Sequence, residues 1–181
     1  MEHSALLNFL SEDSVLAHLS YQRELRARLS LLKKYYPSFA NNEPWELISS
    51  IHGRVPAELF SCALACFLHE SYFSSFTSLP SPCPEVKKYY SSENAFCYEL
   101  LSAARKLECG FVYALRDRRG RVNIVSDPFC AIPISSRTVL ALDVSEHAYF
   151  SDYGFNKDEY LRRALAYLNL SKLFSEDGKT S

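Results

Sequence analysis

Three prolines in eight residues, in the segment LPSPCPEV (79–86), divide this chain. Proline has no amide hydrogen to give a helix or an inner strand, and its ring collides with the preceding helical turn. No regular element runs through such a segment, so the parts on either side must meet by packing alone. The expected division is residues 1–78 as one domain and 86–181 as a second.

Before the prolines the pattern is helical. Ser11 suits an N-cap, Glu12 and Asp13 put negative charge on the first turn, and Pro37 closes a helix ending near Tyr36. Val15, His18, Gln22, Leu25, Leu29 and Leu32, spaced by three and four, form one face of it. Residues 37–55 hold turn formers around a short helical piece near Trp45–Ile51, and a second long helix is expected from about Pro56. Its face is Leu59, Cys62, Cys66, His69, Phe73 and Phe76.

Beyond the prolines, a helix over about Phe96–Leu107 leads to Gly110. FVYAL (111–115), the turn DRRG (117–120) and RVNIV (121–125) predict two antiparallel strands, and TVLALDV (138–144) a third. A last helix is expected from Lys157 to Leu170. The fold class is therefore α+β: an N-terminal α-helical hairpin followed by an α/β domain with a small three-stranded antiparallel sheet.

Composition narrows the function. With 48% hydrophobic and 14% aromatic residues the chain can bury a core. A net charge of −1 with no basic block gives no electrostatic reason to expect nucleic acid or an anionic membrane as partner. No run reaches the ~20 apolar residues of a membrane span. The opening MEHSALLNFLSEDS has no basic leader, and cysteines 62, 66, 83, 97, 109 and 130 form no CxxC pair. Both features suit reduced thiols in a cytoplasmic protein.

His18 and His69 stand out because each lies on a face that packing should bury. Asp143 ends the third strand and His147 follows four residues later, among Tyr149, Phe150, Tyr153 and Phe155. A buried carboxylate needs a partner, a hydrogen bond or a metal. Taken singly, each histidine reads as an ordinary hydrogen-bonded core residue; His3 and His52 receive no assignment. Together, three imidazoles and one carboxylate form a ligand set that suits Fe, Mn or Zn better than Mg²⁺ or Ca²⁺. Cys62, Cys66 and His69 share a face and offer a rival zinc-type reading, weighed against plain burial of small thiols.

The stretch LDVSEHAYFSDY resembles the C-terminal signature of the iron/manganese superoxide dismutases, D-V-W-E-H-A-Y, with Ser145 where the family has Trp. LSEDSVLAHLSYQRE is similar to the family's first ligand helix, with its histidine at His18, and FLHESYFSSFTSLP to the second, at His69. GFVYAL, DPFCAIPI and TVLALDV follow the family's sheet region in order, so the resemblance extends over about residues 8–172. It implies one Fe or Mn ion per subunit, bound by His18, His69, Asp143 and His147 between the two domains. It also implies superoxide as substrate, dismutated to O₂ and H₂O₂. Finally, it implies a homodimer in which Glu146 bridges to the partner's ligand histidine and Tyr149 reaches the partner's channel.

The departures fall around the metal. The Gln that hydrogen-bonds bound solvent in the family corresponds to Ala65 in the iron-type pattern and to Ser126 in the manganese-type pattern. The family's channel His and Tyr fall on Gln22 and Arg26, and the Asn before the second ligand is Leu68. Gln22 is a candidate replacement for the solvent's partner and Arg26 for attracting the superoxide anion. Two further readings stay open: a metal-binding protein of the same fold without dismutase activity, and a structural relative that keeps only the scaffold. Retention of four buried donors argues against the last.

Overall fold

Ser11 starts the first helix as its sequence requires: its Oγ accepts the Ser14 amide at 3.2 Å, capping α1 (Glu12–Tyr35). The computed structural model describes residues 4–49, 55–117, 119–132, 134 and 139–175. His3, Ile51, His52, Arg118 and Thr138 lie outside the described residues. A short α2 (Pro44–Ser49) leads to α3 (Ala57–Phe73), with Pro56 at its N-cap, and α3 packs along α1 as the expected hairpin. Eleven of the 17 residues of α3 are buried, so this helix is a core element on most of its faces.

After the proline segment, α4 (Glu93–Lys106) is capped by Ser92, whose Oγ accepts the Ala95 amide at 3.0 Å. Three strands follow: β1 (Phe111–Arg116), β2 (Val122–Asp127) and β3 (Val139–Asp143). All pairs are antiparallel in the order β2-β1-β3, with Phe111 opposite both Asp127 and Asp143. The observed architecture is thus the α+β arrangement, helices plus a small three-stranded antiparallel sheet. A one-turn α5 (Phe150–Tyr153) and α6 (Lys157–Ala166) complete it.

Every residue of β3 is buried although β3 lies at the sheet edge. Helix α3 covers that edge. The Ala141 amide, which no strand can accept, donates to Ser75 Oγ at 2.8 Å, and Ser75 in turn donates to the Ser71 carbonyl at 2.6 Å. The chain just past α3 is also tied to the C-terminal part: Phe76 bridges Leu168, the Thr77 amide donates to the Tyr167 carbonyl and the Asn169 amide to the Ser75 carbonyl. These contacts correct the last expected helix. It ends at Ala166 and not at Leu170, because residues 167–169 spend their backbone groups on the strand-like bridge to 75–77.

Gly110 sets the approach to β1. Its φ of +103° is open to glycine alone in practice, and a Cβ there would sit 2.5 Å from the Asp127 carbonyl oxygen and 2.7 Å from Pro128 Cα. This brings the 128–130 loop against the start of β1. Asp127 fixes that loop, its buried carboxylate accepting the amides of Phe129, Ala131 and Ile132 at 3.0–3.3 Å.

Candidate metal centre

Four elements aim side chains at one point. His18 leaves the middle of the first half of α1, His69 the last turn of α3, Asp143 the end of β3, and His147 the turn that follows. One ligand atom from each lies within 4.8 Å of the other three, and among the described residues this is the cluster of this kind. Asp143 Oδ2 is its centre, at 3.2 Å from His18 Nε2, 3.4 Å from His69 Nε2 and 2.9 Å from His147 Nε2. Asp143 Oδ1 is already engaged, accepting the Ser145 amide at 2.9 Å.

The cluster is incomplete as a hydrogen-bonded set. His18 Nε2 and Asp143 Oδ2 are buried without a hydrogen-bond partner, since their close approach is poorly aligned. His69 donates Nδ1–H to the Ala65 carbonyl at 2.7 Å, which leaves a lone pair on its Nε2. That lone pair faces the Asp143 carboxylate and, at 3.3 Å, the His147 Nε2. Burial pushes the His69 pKa down to about 4, against the pull of the Asp143 charge, so the ring stays neutral at pH 7. Burial alone would raise the Asp143 carboxyl; the close approach of His147 and His18 outweighs it and holds the group well below its ordinary range.

Lone pairs and a carboxylate oxygen facing one another in a dry site repel unless a cation lies among them. Donor atoms about 2.1 Å from a shared centre stand about 3.0 Å apart at right angles and about 3.6 Å apart at 120°. The separations of 2.9–3.4 Å match that pattern. The donors therefore fit a first-row metal ion.

Residues 83–175, more than half of the chain, match the C-terminal domain of the iron/manganese superoxide dismutases. The chain belongs to the iron/manganese superoxide dismutase family. No curated protein matches it. Of the four donors, Asp143 and His147 lie inside the matched span and His18 and His69 outside it, brought in by α1 and α3.

The inner side of this dismutase-family centre is aromatic. Tyr72 and Phe73 pack on the His18 ring, with centroids 4.8 and 5.0 Å away. Tyr160 donates its hydroxyl hydrogen to the Asp143 carbonyl at 2.8 Å, and its oxygen lies 3.2 Å from the Tyr72 hydroxyl. Phe111 meets the His69 ring edge-on at 4.9 Å. Periodicity marks Tyr72 and Tyr160 only as core aromatics, and nothing in their sequence context announces the contact with Asp143.

The outer side opens into a cavity of about 340 Å³ that reaches His69 and His147. Tyr21 stands over it, 4.3 Å from the His147 ring and 5.3 Å from the His69 ring, 39% exposed. Burial and the Asp143 charge raise its hydroxyl pKa. The residues singled out for a channel role lie elsewhere. Gln22 is half-buried and off the cavity wall; Arg26 pairs with Glu70 at 2.8 Å and is also off it, the lining cation being Arg28. Tyr21 and Arg28 were missed because neither belongs to the apolar stripe of α1.

Ala65 lies on the cavity wall, as does Ser145, whose Oγ accepts the Gly110 amide at 3.0 Å. Ser126 is exposed on the opposite side of the sheet, beside Ile124 and Leu107, and takes no part in the site. Leu68 is fully buried core. Cys62 and Cys66 do not gather with His69 as zinc ligands: both His69 nitrogens are directed elsewhere, and Cys62 Sγ approaches the Leu25 carbonyl at 3.7 Å. Glu146 is exposed beside His147, while Tyr149 is buried and stacks on Tyr160 at 5.1 Å.

Proposed function

We propose that this chain is an iron- or manganese-dependent superoxide dismutase whose metal is held by His18, His69, Asp143 and His147. The observation that carries the reading is the buried carboxylate oxygen of Asp143 within 3.4 Å of three imidazole nitrogens, one of them fixed as a lone-pair donor by Ala65. A bound iron or manganese ion would supply the one-electron exchange by which superoxide goes to O₂ and, with two protons, to H₂O₂. The chain's own residues do the rest. Asp143 offsets cationic charge, His69 is locked in one tautomer, and Tyr160 with Tyr72 steadies the backbone of Asp143. Tyr72 and Phe73 keep water from the inner donors, so exchange with solvent runs by the His69 and His147 side.

A homodimer belongs to the same reading. His147 keeps a side-chain exposure of 32% and Glu146 is exposed beside it, which leaves both available to a partner subunit. A cytoplasmic setting rests on the six free thiols. Arg28 and Tyr21 take over the channel roles that Arg26 and Gln22 would have in the family's spacing.

Ala65 and Ser145 favour one second reading, a metalloprotein of this fold that does not dismutate. Neither position carries the solvent-binding amide or the indole that the resemblance to the family leads one to expect there. Elemental analysis of purified protein beside a superoxide-consumption assay separates the two. About one Fe or Mn per chain with rapid consumption supports the dismutase; the same metal without consumption supports the second reading, and no uptake under any loading defeats both.

A further inference from the structure

The cavity outside His69 and His147 is far larger than a diatomic anion requires. At about 340 Å³ it falls within the range of small-molecule ligand sites. Its walls are two helix stripes. On α1, Tyr21, Leu25 and Arg28 stand at i, i+4 and i+7; on α3, Glu58, Cys62, Ala65 and His69 stand at nearly the same spacing. The third wall is the loop that Gly110 and Asp127 hold in place, with Phe111 and Phe129.

Two features of this chain keep the space open. Ala65 leaves only a methyl group on the α3 wall, and Ser145 is small and turned to the Gly110 amide. The charges on the walls are not equivalent. The Glu58 carboxylate accepts the Tyr36 hydroxyl, whereas among the described residues no carboxylate pairs with Arg28. What remains on the walls is a guanidinium with no carboxylate partner among the described residues, apolar and aromatic side chains, and the edges of two imidazoles.

We propose that this cavity binds a small organic monocarboxylate, its carboxylate on Arg28 and its apolar part against Leu25, Phe111 and Phe129. The inference builds on the proposed metal site by assigning a ligand class to the space beside it. A guanidinium recognises a carboxylate by paired, charge-assisted hydrogen bonds, and planar apolar walls suit an aromatic or short aliphatic body. A molecule seated there lies against the cavity-lining edges of His69 and His147.

Benzoate is the probe, titrated into the purified full-length protein of known metal content, with ¹H–¹⁵N shifts and thermal midpoint as readouts. The expected result is saturable binding that raises the midpoint and shifts amides of residues 21–28, 65–69 and 109–111. Arg28→Gln should weaken it about tenfold or more, the loss of one charge-assisted pair. Ala65→Leu, which fills the space without touching charge, should weaken it at least as much. Arg23→Gln, on the same helix but off the cavity wall, should leave it unchanged. No saturable binding to the wild-type protein, or equal loss in Arg23→Gln and Arg28→Gln, overturns the proposal. The superoxide assay is read separately. Binding without superoxide consumption removes the dismutase reading and leaves the ligand site standing; consumption without binding does the reverse.

Discussion

The two sides of the donor cluster are built on opposite principles. Around His18 and Asp143 the enclosing aromatics are large and buried or nearly so: Tyr72, Phe73 and Tyr160 fill the space, and the Tyr160 hydroxyl fastens the Asp143 backbone. On the cavity side of His69 and His147 the wall residues are small, as at Ala65 and Ser145, or exposed, as at Tyr21 and Arg28. The inner side thus fixes where the donors are, and the outer side decides what can reach them. The wall side chains at Ala65, Ser145 and Arg28 can change with less effect on the donors than the enclosing aromatics, because, of these four wall residues, it is Tyr21 that meets the donor rings.

Breaking the inner side should have the largest consequence. Asp143→Asn removes the anionic donor from beside three imidazoles and is expected to cut metal content to under about a tenth of wild type, measured by elemental analysis after identical loading. Unchanged occupancy in that variant would show that the carboxylate is not needed. On the outer side, Ala65→Gln restores an amide to the α3 wall. It is expected to change superoxide consumption by about tenfold or more while moving the unfolding free energy from urea titration by under about 0.5 kcal/mol. A stability loss as large as the activity change would mean that the two sides are not separable.

Tyr160→Phe tests the fastening itself. Losing the hydroxyl leaves the Asp143 carbonyl without that donor and is expected to cost about 1–2 kcal/mol in urea unfolding, with metal content reduced but not abolished. The smallest effect lies away from the centre. Burial pushes the Lys172 pKa down to about 8, where its ammonium meets the Ser71 carbonyl and the Ser74 hydroxyl. The folded chain then holds that proton less tightly than the unfolded chain. The resulting destabilisation is full below pH 8 and disappears as pH rises through 10.5, the group's ordinary value. Lys172→Met should therefore stabilise the protein at pH 7 and lose that advantage by pH 10.5, read from urea midpoints across the range.

The donors were legible from the sequence because they break a pattern. His18 and His69 interrupt apolar stripes, and Asp143 ends an apolar strand, so each poses the question of what compensates a buried polar group. The helical hairpin and the three strands followed from periodicity and turn residues. The outer wall was not legible. Tyr21 and Arg28 lie one position off the apolar stripe of α1, and spacing alone cannot tell a cavity wall from an exposed face. Gln22 and Arg26 were singled out because the family's channel His and Tyr fall on them, but Arg26 finds Glu70 on α3 instead. The end of α6 was misplaced for a related reason, since the bridge from Phe76 to Leu168 links residues far apart in the chain.

The Ser75 hydroxyl, held between the Ser71 carbonyl and the Ala141 amide, joins the end of α3 to the middle of β3. Two donors precede that junction in the chain and two follow it. Neither half carries more than two of the four, so a bound ion acts as a receipt for completed assembly: only a chain whose halves have closed on each other can retain it.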